Sequence, residues 1–140
     1  MATTTATVSI SSNDLMPGSS LGISASSTLM KTGLTTGMTQ VQTGAMSLAT
    51  GTEYSLWEAT GTANSANFIY ICNTSTDDTY YVDWGIHETM IGRLYAGDWM
   101  FIPWNASDDA AEIEIEAQVG TQTIEYAFFA SDLALATAAS

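Results

Sequence analysis

The sequence predicts an all-β protein: a jelly-roll-like antiparallel β-sandwich with an extended Ser/Thr/Gly-rich N-terminal arm. Three observations predict it. Apolar and polar residues alternate with period two in several short segments, the signature of strands with one buried face. Turn-forming clusters separate these segments at regular spacing, and no stretch sustains a 3.6-residue period except weakly over 131–139. The composition also changes sharply near residue 53. All 14 aromatics lie beyond that point, and a single open sheet would leave half of them wet.

Residues 1–52 form the expected arm and edge strands. They hold one acid, Asp14, one base, Lys31, and no aromatic. Such a segment buries little by itself. It keeps short period-two patches, Val8 and Ile10, then Leu21, Ile23 and Ala25, then Met38 and Val41. These read as strands that must lie against something else, either this chain's own sandwich or a neighbouring subunit. Residues 53–131 form the expected sandwich core. Tyr80, Val82, Trp84 and Ile86 alternate with a mixed face, as do Ile113, Ile115, Ala117 and Val119 with Glu112, Glu114, Glu116 and Gln118. Gly120-Thr121-Gln122 reads as a hairpin turn leading to Ile124, Tyr126 and Phe128. Phe68–Asn73, Thr89–Leu94 and Trp99–Trp104 complete the strands, the last two joined by a turn at Tyr95-Ala96-Gly97-Asp98. Residues 132–140 are a C-terminal tail.

Charge excludes whole classes of partner. Of 140 residues, 15 are acidic and only two are Lys or Arg, for a formal net charge of −13. Lys31 and Arg93 cannot neutralise a row of phosphates, so no nucleic acid is expected as a partner. An anionic membrane surface repels such a chain, so no membrane is expected either. The first residues carry no base and no long apolar run, unlike a secretory signal. Cys72 is the only cysteine, which forbids an intrachain disulfide and reads as a small buried hydrophobe.

Motifs for chemistry are sparse, and no catalytic residue or cofactor is expected. His87 is the only histidine and precedes Glu88, but catalytic zinc takes three protein ligands and no second histidine or cysteine exists. On the mixed face of its strand, an ordinary solvated imidazole is the plainer reading. No Gly-x-Ser-x-Gly and no Gly-rich phosphate loop occurs. Asp77-Asp78 and Asp108-Asp109 sit in polar turns, where carboxylates and carbonyls could hold Ca²⁺, although acidic turns are usually just solvated. Glu112, Glu114 and Glu116 put carboxylates on one strand face at about 7 Å intervals. That face is either solvated or, with no Lys or Arg nearby in sequence, set against a basic partner. Of the four tryptophans, Trp84 belongs to a core face. Trp99 and Trp104 have opposite parity on one strand, so one points outward, as an interface anchor or a sugar platform.

Two resemblances sharpen these expectations. Gly97-Asp98-Trp99-Met100-Phe101-Ile102-Pro103 resembles the cupin hairpin of a glycine, five residues and a proline, yet Asn105 and Asp108 stand where that family has glycine and a metal-binding histidine. The likeness implies a jelly-roll shape only, since the strand geometry matches and the metal ligands do not. More broadly, the order Phe68–Thr74, Tyr80–Ile86, Gly92–Asp98 and Ile124–Tyr126 resembles small jelly-roll virion proteins of tailed bacteriophages. That resemblance implies a capsid decoration (cement) protein, a homotrimer on the outer capsid surface that bridges subunits of the major capsid protein. The interface it implies takes in Val8, Ile10, Leu21, Ile23, Trp99, Trp104, Glu112, Glu114 and Glu116. A tail, neck or fibre component is the nearest alternative, and a carbohydrate-binding β-sandwich the alternative from another class.

Overall fold

The computed structural model describes residues 4–32, 36–37, 40–58, 66–105, 112–130 and 136–137. Among them every regular element is a strand: β1 (Thr5–Met16), β2 (Ser19–Thr28), β3 (Met30–Thr32), β4 (Thr36–Gly37), β5 (Gln40–Leu48), β6 (Glu53–Glu58), β7 (Ala66–Asn73), β8 (Tyr81–Ile86), β9 (Thr89–Tyr95), β10 (Trp99–Asn105), β11 (Ile113–Ala117), β12 (Gln122–Ala130) and β13 (Ala136–Thr137). The weak helical pattern near the C-terminus is overridden at Ala136–Thr137, which pair with Glu58 and Trp57 as an edge strand.

Two antiparallel sheets divide the chain from β5 onward. One has the order β10-β7-β12-β5 and the other β13-β6-β11-β8-β9. Only β8 and β9 are sequential neighbours within a sheet; every other link between β5 and β12 crosses from one sheet to the other. The expected hairpin at Gly120 is therefore a crossover. Gly120 does turn the chain, with φ +65°, but the Tyr80 ring lies against it and β12 enters the opposite sheet.

Alternation explains why the sheets stack. Met46, Leu48, Ile69, Ile71, Met100, Trp104, Ile124 and Phe128 face inward from the first sheet. Leu56, Val82, Leu94, Ile113, Ile115 and Ala117 face them from the second, and all join one buried cluster. The periodic apolar positions of β8, β11 and β12 thus form the core, as their pattern predicts; Val119 lies past the end of β11 and is exposed. One end of the sandwich is closed by a buried polar clamp. Asn73 Nδ2 donates to the Leu94 carbonyl (3.1 Å) and to Gln122 Oε1 (2.9 Å), while Gln122 Nε2 donates to the carbonyls of Tyr81 (2.6 Å) and Val119 (2.8 Å). The clamp ties strands of both sheets together.

β1 and β2 belong to neither sheet. They form a separate two-stranded ribbon in continuous register from Thr5↔Thr28 to Ser12↔Leu21, turned at Pro17-Gly18. Proline at the first central position and Gly18 at φ +80° suit a type II turn. The base closes where the Leu29 N–H donates to the Thr4 carbonyl (2.8 Å), with the Leu29 side chain buried.

Candidate functional site

Register decides what the ribbon displays. Val8 pairs with Ala25, Ile10 with Ile23 and Ser12 with Leu21, so the alternating apolar residues of both strands fall on one face. Ser9↔Ser24 and Thr7↔Ser26 occupy the other, where the Thr7 and Ser26 hydroxyls share a hydrogen bond of 3.1 Å. Ile10 and Ile23 are 50% and 51% exposed, and neither ribbon strand packs extensively on the sandwich. Val8, Ile10, Leu21 and Ile23 are thus brought together as one uncovered apolar stripe.

A second apolar surface lies on the outer face of the four-stranded sheet. Three cross-strand rows make it: Pro103, Phe68, Phe129 and Val41; Phe101, Tyr70, Ala127 and Thr43; Trp99, Cys72, Glu125 and Ala45. Phe68 stacks on Phe101 with ring centroids 5.6 Å apart, Phe129 meets Phe101 edge-on at 6.1 Å, and Tyr70 tilts toward Trp99 at 6.5 Å. Trp99 is 53% exposed and Val41 52%. Glu125 is the only charged side chain in these rows. Sequence reasoning placed one of Trp99 and Trp104 outward without saying which, and missed the platform, because continuous apolar runs such as Phe68–Cys72 hide which parity faces out. Trp104 does not belong to any surface: it is buried, with its ring edge-on to Phe128 at 5.5 Å. Its even parity with Met100 and Ile102 puts it in the core. Cys72, expected to be buried, lies half-buried on the outer face for the same reason of parity.

The outer face of the five-stranded sheet has the opposite chemistry. Glu114 is not solvated there; it is buried, and its Oε2 accepts the Glu88 N–H. β11 is an inner strand of this sheet, so the β8–β9 turn folds over it, while Glu112 and Glu116 stay half-buried. Partial desolvation first, and then the nearby Glu114, Glu116 and Glu88 carboxylates, raise the pKa of Glu53. Arg93, the one arginine, is held by Asp83 (Nε to Oδ1, 2.8 Å) and lies 3.8 Å over the Tyr81 ring, so it neutralises none of the glutamates. His87 and Glu88 are not on a strand face at all. They form the two-residue β8–β9 turn with φ of +44° and +62°, a left-handed pair usually given to Asn and Gly.

The Asp77-Asp78 turn is held by its own hydrogen bonds. Asp77 Oδ1 accepts the Thr79 hydroxyl (2.7 Å) and N–H (3.0 Å), and these bonds hold its carboxyl below the usual range. Asp78 is exposed, Asp108 and Asp109 lie outside the described residues, and among the described residues no three His, Cys, Asp or Glu side chains gather as a metal site. A hydroxyl-lined hollow of about 410 Å³ lies between Thr74–Asp77, Tyr80, Thr121 and Thr123. No helix among the described residues is long and apolar enough to cross a membrane. The chain matches no family model, no curated protein and no solved structure.

Proposed function

We propose that this chain is a non-enzymatic structural protein of a tailed-bacteriophage virion, a capsid decoration protein that binds the outer capsid surface and bridges neighbouring capsid subunits as a homo-oligomer. The observation that carries this reading is the ribbon: among the described residues nothing covers Ile10 and Ile23 of its apolar stripe, which are half-exposed. A two-stranded hairpin alone is marginal in water, so such an arm makes sense where a partner surface fixes it. The strand order supports the jelly-roll part of the proposal. Lettering β5–β12 as B to I gives sheets B-I-D-G and C-H-E-F, the interleaving of a jelly roll. The acidity suits a particle exterior and opposes contact with packaged DNA.

Fractionating the native source by size and counting copies by quantitative mass spectrometry tests the proposal. Co-sedimentation with megadalton particles in many copies supports decoration; a few copies per particle supports the tail or neck instead. A chain that stays in the soluble fraction defeats the virion reading and moves the test to sugar-dependent quenching of tryptophan fluorescence. Deleting residues 2–30 is expected to abolish docking while the sandwich stays folded, as judged by near-UV circular dichroism. A truncated chain that still docks normally sinks the arm.

A further inference from the structure

We infer that the two uncovered apolar surfaces of this chain cover each other between copies: the ribbon of one molecule lies across the aromatic outer face of the four-stranded sheet of a second, in a closed exchange. This goes beyond the virion reading and is tested without any particle. Charge selects the occupant. Residues 1–52 hold Asp14 and Lys31 and are net neutral, so the −13 resides in the rest of the chain. Two sandwiches meeting through the five-stranded sheet set acid against acid, above all at Glu53, Glu88 and Glu116. A ribbon meeting the aromatic face brings together an element whose only charged residue is Asp14 and a surface whose three rows contain only Glu125. A basic partner would gain more on the glutamate face, since the aromatic face offers a cation almost nothing to pair with.

Area selects a closed arrangement. Eight paired positions at about 3.3 Å per residue and two strands about 4.8 Å apart give a ribbon face of about 26 by 10 Å. One contact therefore buries about 500 Å² over both partners, short of the roughly 1,200 Å² of a stable interface. Reciprocal exchange gives each molecule two such contacts and brings the total to about 1,000 Å², near that lower limit. Linking the two contacts also makes the second one intramolecular.

Light scattering on the purified full chain reads the state, and the rate of thiol labelling at Cys72 reads the face, because Cys72 lies in the Trp99 row. The wild type is expected to run as a discrete oligomer of the 14.8 kDa chain with Cys72 protected. Ile10→Asp/Ile23→Asp, on the apolar stripe, and Trp99→Asp, on the platform, are each expected to give monomer; the ribbon variant also labels severalfold faster at Cys72. Ser9→Asp/Ser24→Asp adds the same charge to the other ribbon face and is expected to leave both readouts unchanged. Circular dichroism confirms that the variants fold. A monomeric wild type overturns the inference, whether Cys72 is open (the faces await another partner) or protected (the ribbon folds onto its own sheet). An oligomer that survives Trp99→Asp with Cys72 open overturns it in favour of ribbon-to-ribbon pairing.

Discussion

The ribbon and the sandwich are built from the same antiparallel pairing, yet only one of them has an inside. β1 and β2 hold register over eight consecutive pairs, and their apolar side chains still meet water. In the sandwich a single strand such as β11 sends Ile113, Ile115 and Ala117 into full burial, because a second sheet faces it. Hydrogen-bonded pairing is thus common to both regions, and what separates them is the area removed from water. Backbone hydrogen bonds exchange with water at small net gain, whereas each fully buried Ile or Leu contributes about 1.5–3 kcal/mol. A ribbon of this kind keeps its shape and borrows its stability from whatever covers it.

The sharpest break of that comparison is a pair of truncations. Phe128→Ala removes a fully buried ring packed edge-on to Trp104 and is expected to cost about 3–5 kcal/mol in chemical denaturation. Ile10→Ala, on a half-exposed ribbon side chain, is expected to change the sandwich transition by less than about 0.5 kcal/mol. Comparable losses at the two positions would mean that the ribbon belongs to the same cooperative unit.

Next in size is the clamp that joins the sheets. Asn73→Ala removes three hydrogen bonds, including the one its Oδ1 accepts from the Ser75 N–H (3.1 Å), and leaves Gln122 Oε1 buried without this donor. The expected cost is about 2–4 kcal/mol. In a double-mutant cycle, Asn73→Leu/Gln122→Leu is expected to cost less than the sum of the single changes, since no half-clamp remains. Strict additivity would show that the two amides act separately.

These two cases also separate what the sequence made legible from what it hid. Period two placed Val82, Ile113, Ile115, Ile124 and Phe128 in the core, whereas the aromatic-free first third did not separate the ribbon from β5, which joins the four-stranded sheet and sends Met46 and Leu48 into the core. Strand partners are long-range facts. Nothing local to Gly120-Thr121-Gln122 distinguishes a hairpin from a crossover, because the same left-handed glycine serves both. The aromatic platform was hidden by strands apolar on both faces, where alternation vanishes and parity must come from neighbours. Glu114 looked solvated by the same alternation that placed Ile113 and Ile115 inside; only its position on an inner strand, beneath the β8–β9 turn, buries it. His87-Glu88 carries no turn signal, and backbone pairing on either side imposes the left-handed pair.

That turn gives the third and smaller effect. Left-handed backbone costs a residue with a side chain about 1 kcal/mol that glycine avoids. Glu88→Gly also removes one carboxylate beside Glu53 while keeping the N–H that Glu114 accepts. The variant is expected to be more stable by about 1 kcal/mol, with a raised Tm. A lower Tm would mean that the Glu88 side chain supports the turn in a way its backbone cannot.

The smallest effect distinguishes the two regions by pH. The ribbon has a single acid, Asp14, whereas the sandwich holds carboxylates pushed in opposite directions. Glu53 is raised above its ordinary 4.5 by partial desolvation and by Glu114, Glu116 and Glu88. An acid raised by folding penalises the folded state at neutral pH, and the penalty fades as pH falls through the folded value toward the unfolded one. Glu53→Gln is therefore expected to stabilise at pH 7 by roughly a few tenths of a kcal/mol, because solvent screens so exposed a group. The gain in Tm should shrink toward pH 4. Asp77 is lowered by its bonds from Thr79, so its contribution has the other sign: present at neutral pH and lost as the carboxyl protonates. Asp77→Asn should lower Tm at pH 7 and converge on the wild type in acid. If both substitutions shifted Tm equally at pH 7 and pH 4, their effects would lie in packing, and the glutamate face would not be the repulsive surface that sets the sandwich apart from its sparsely charged ribbon.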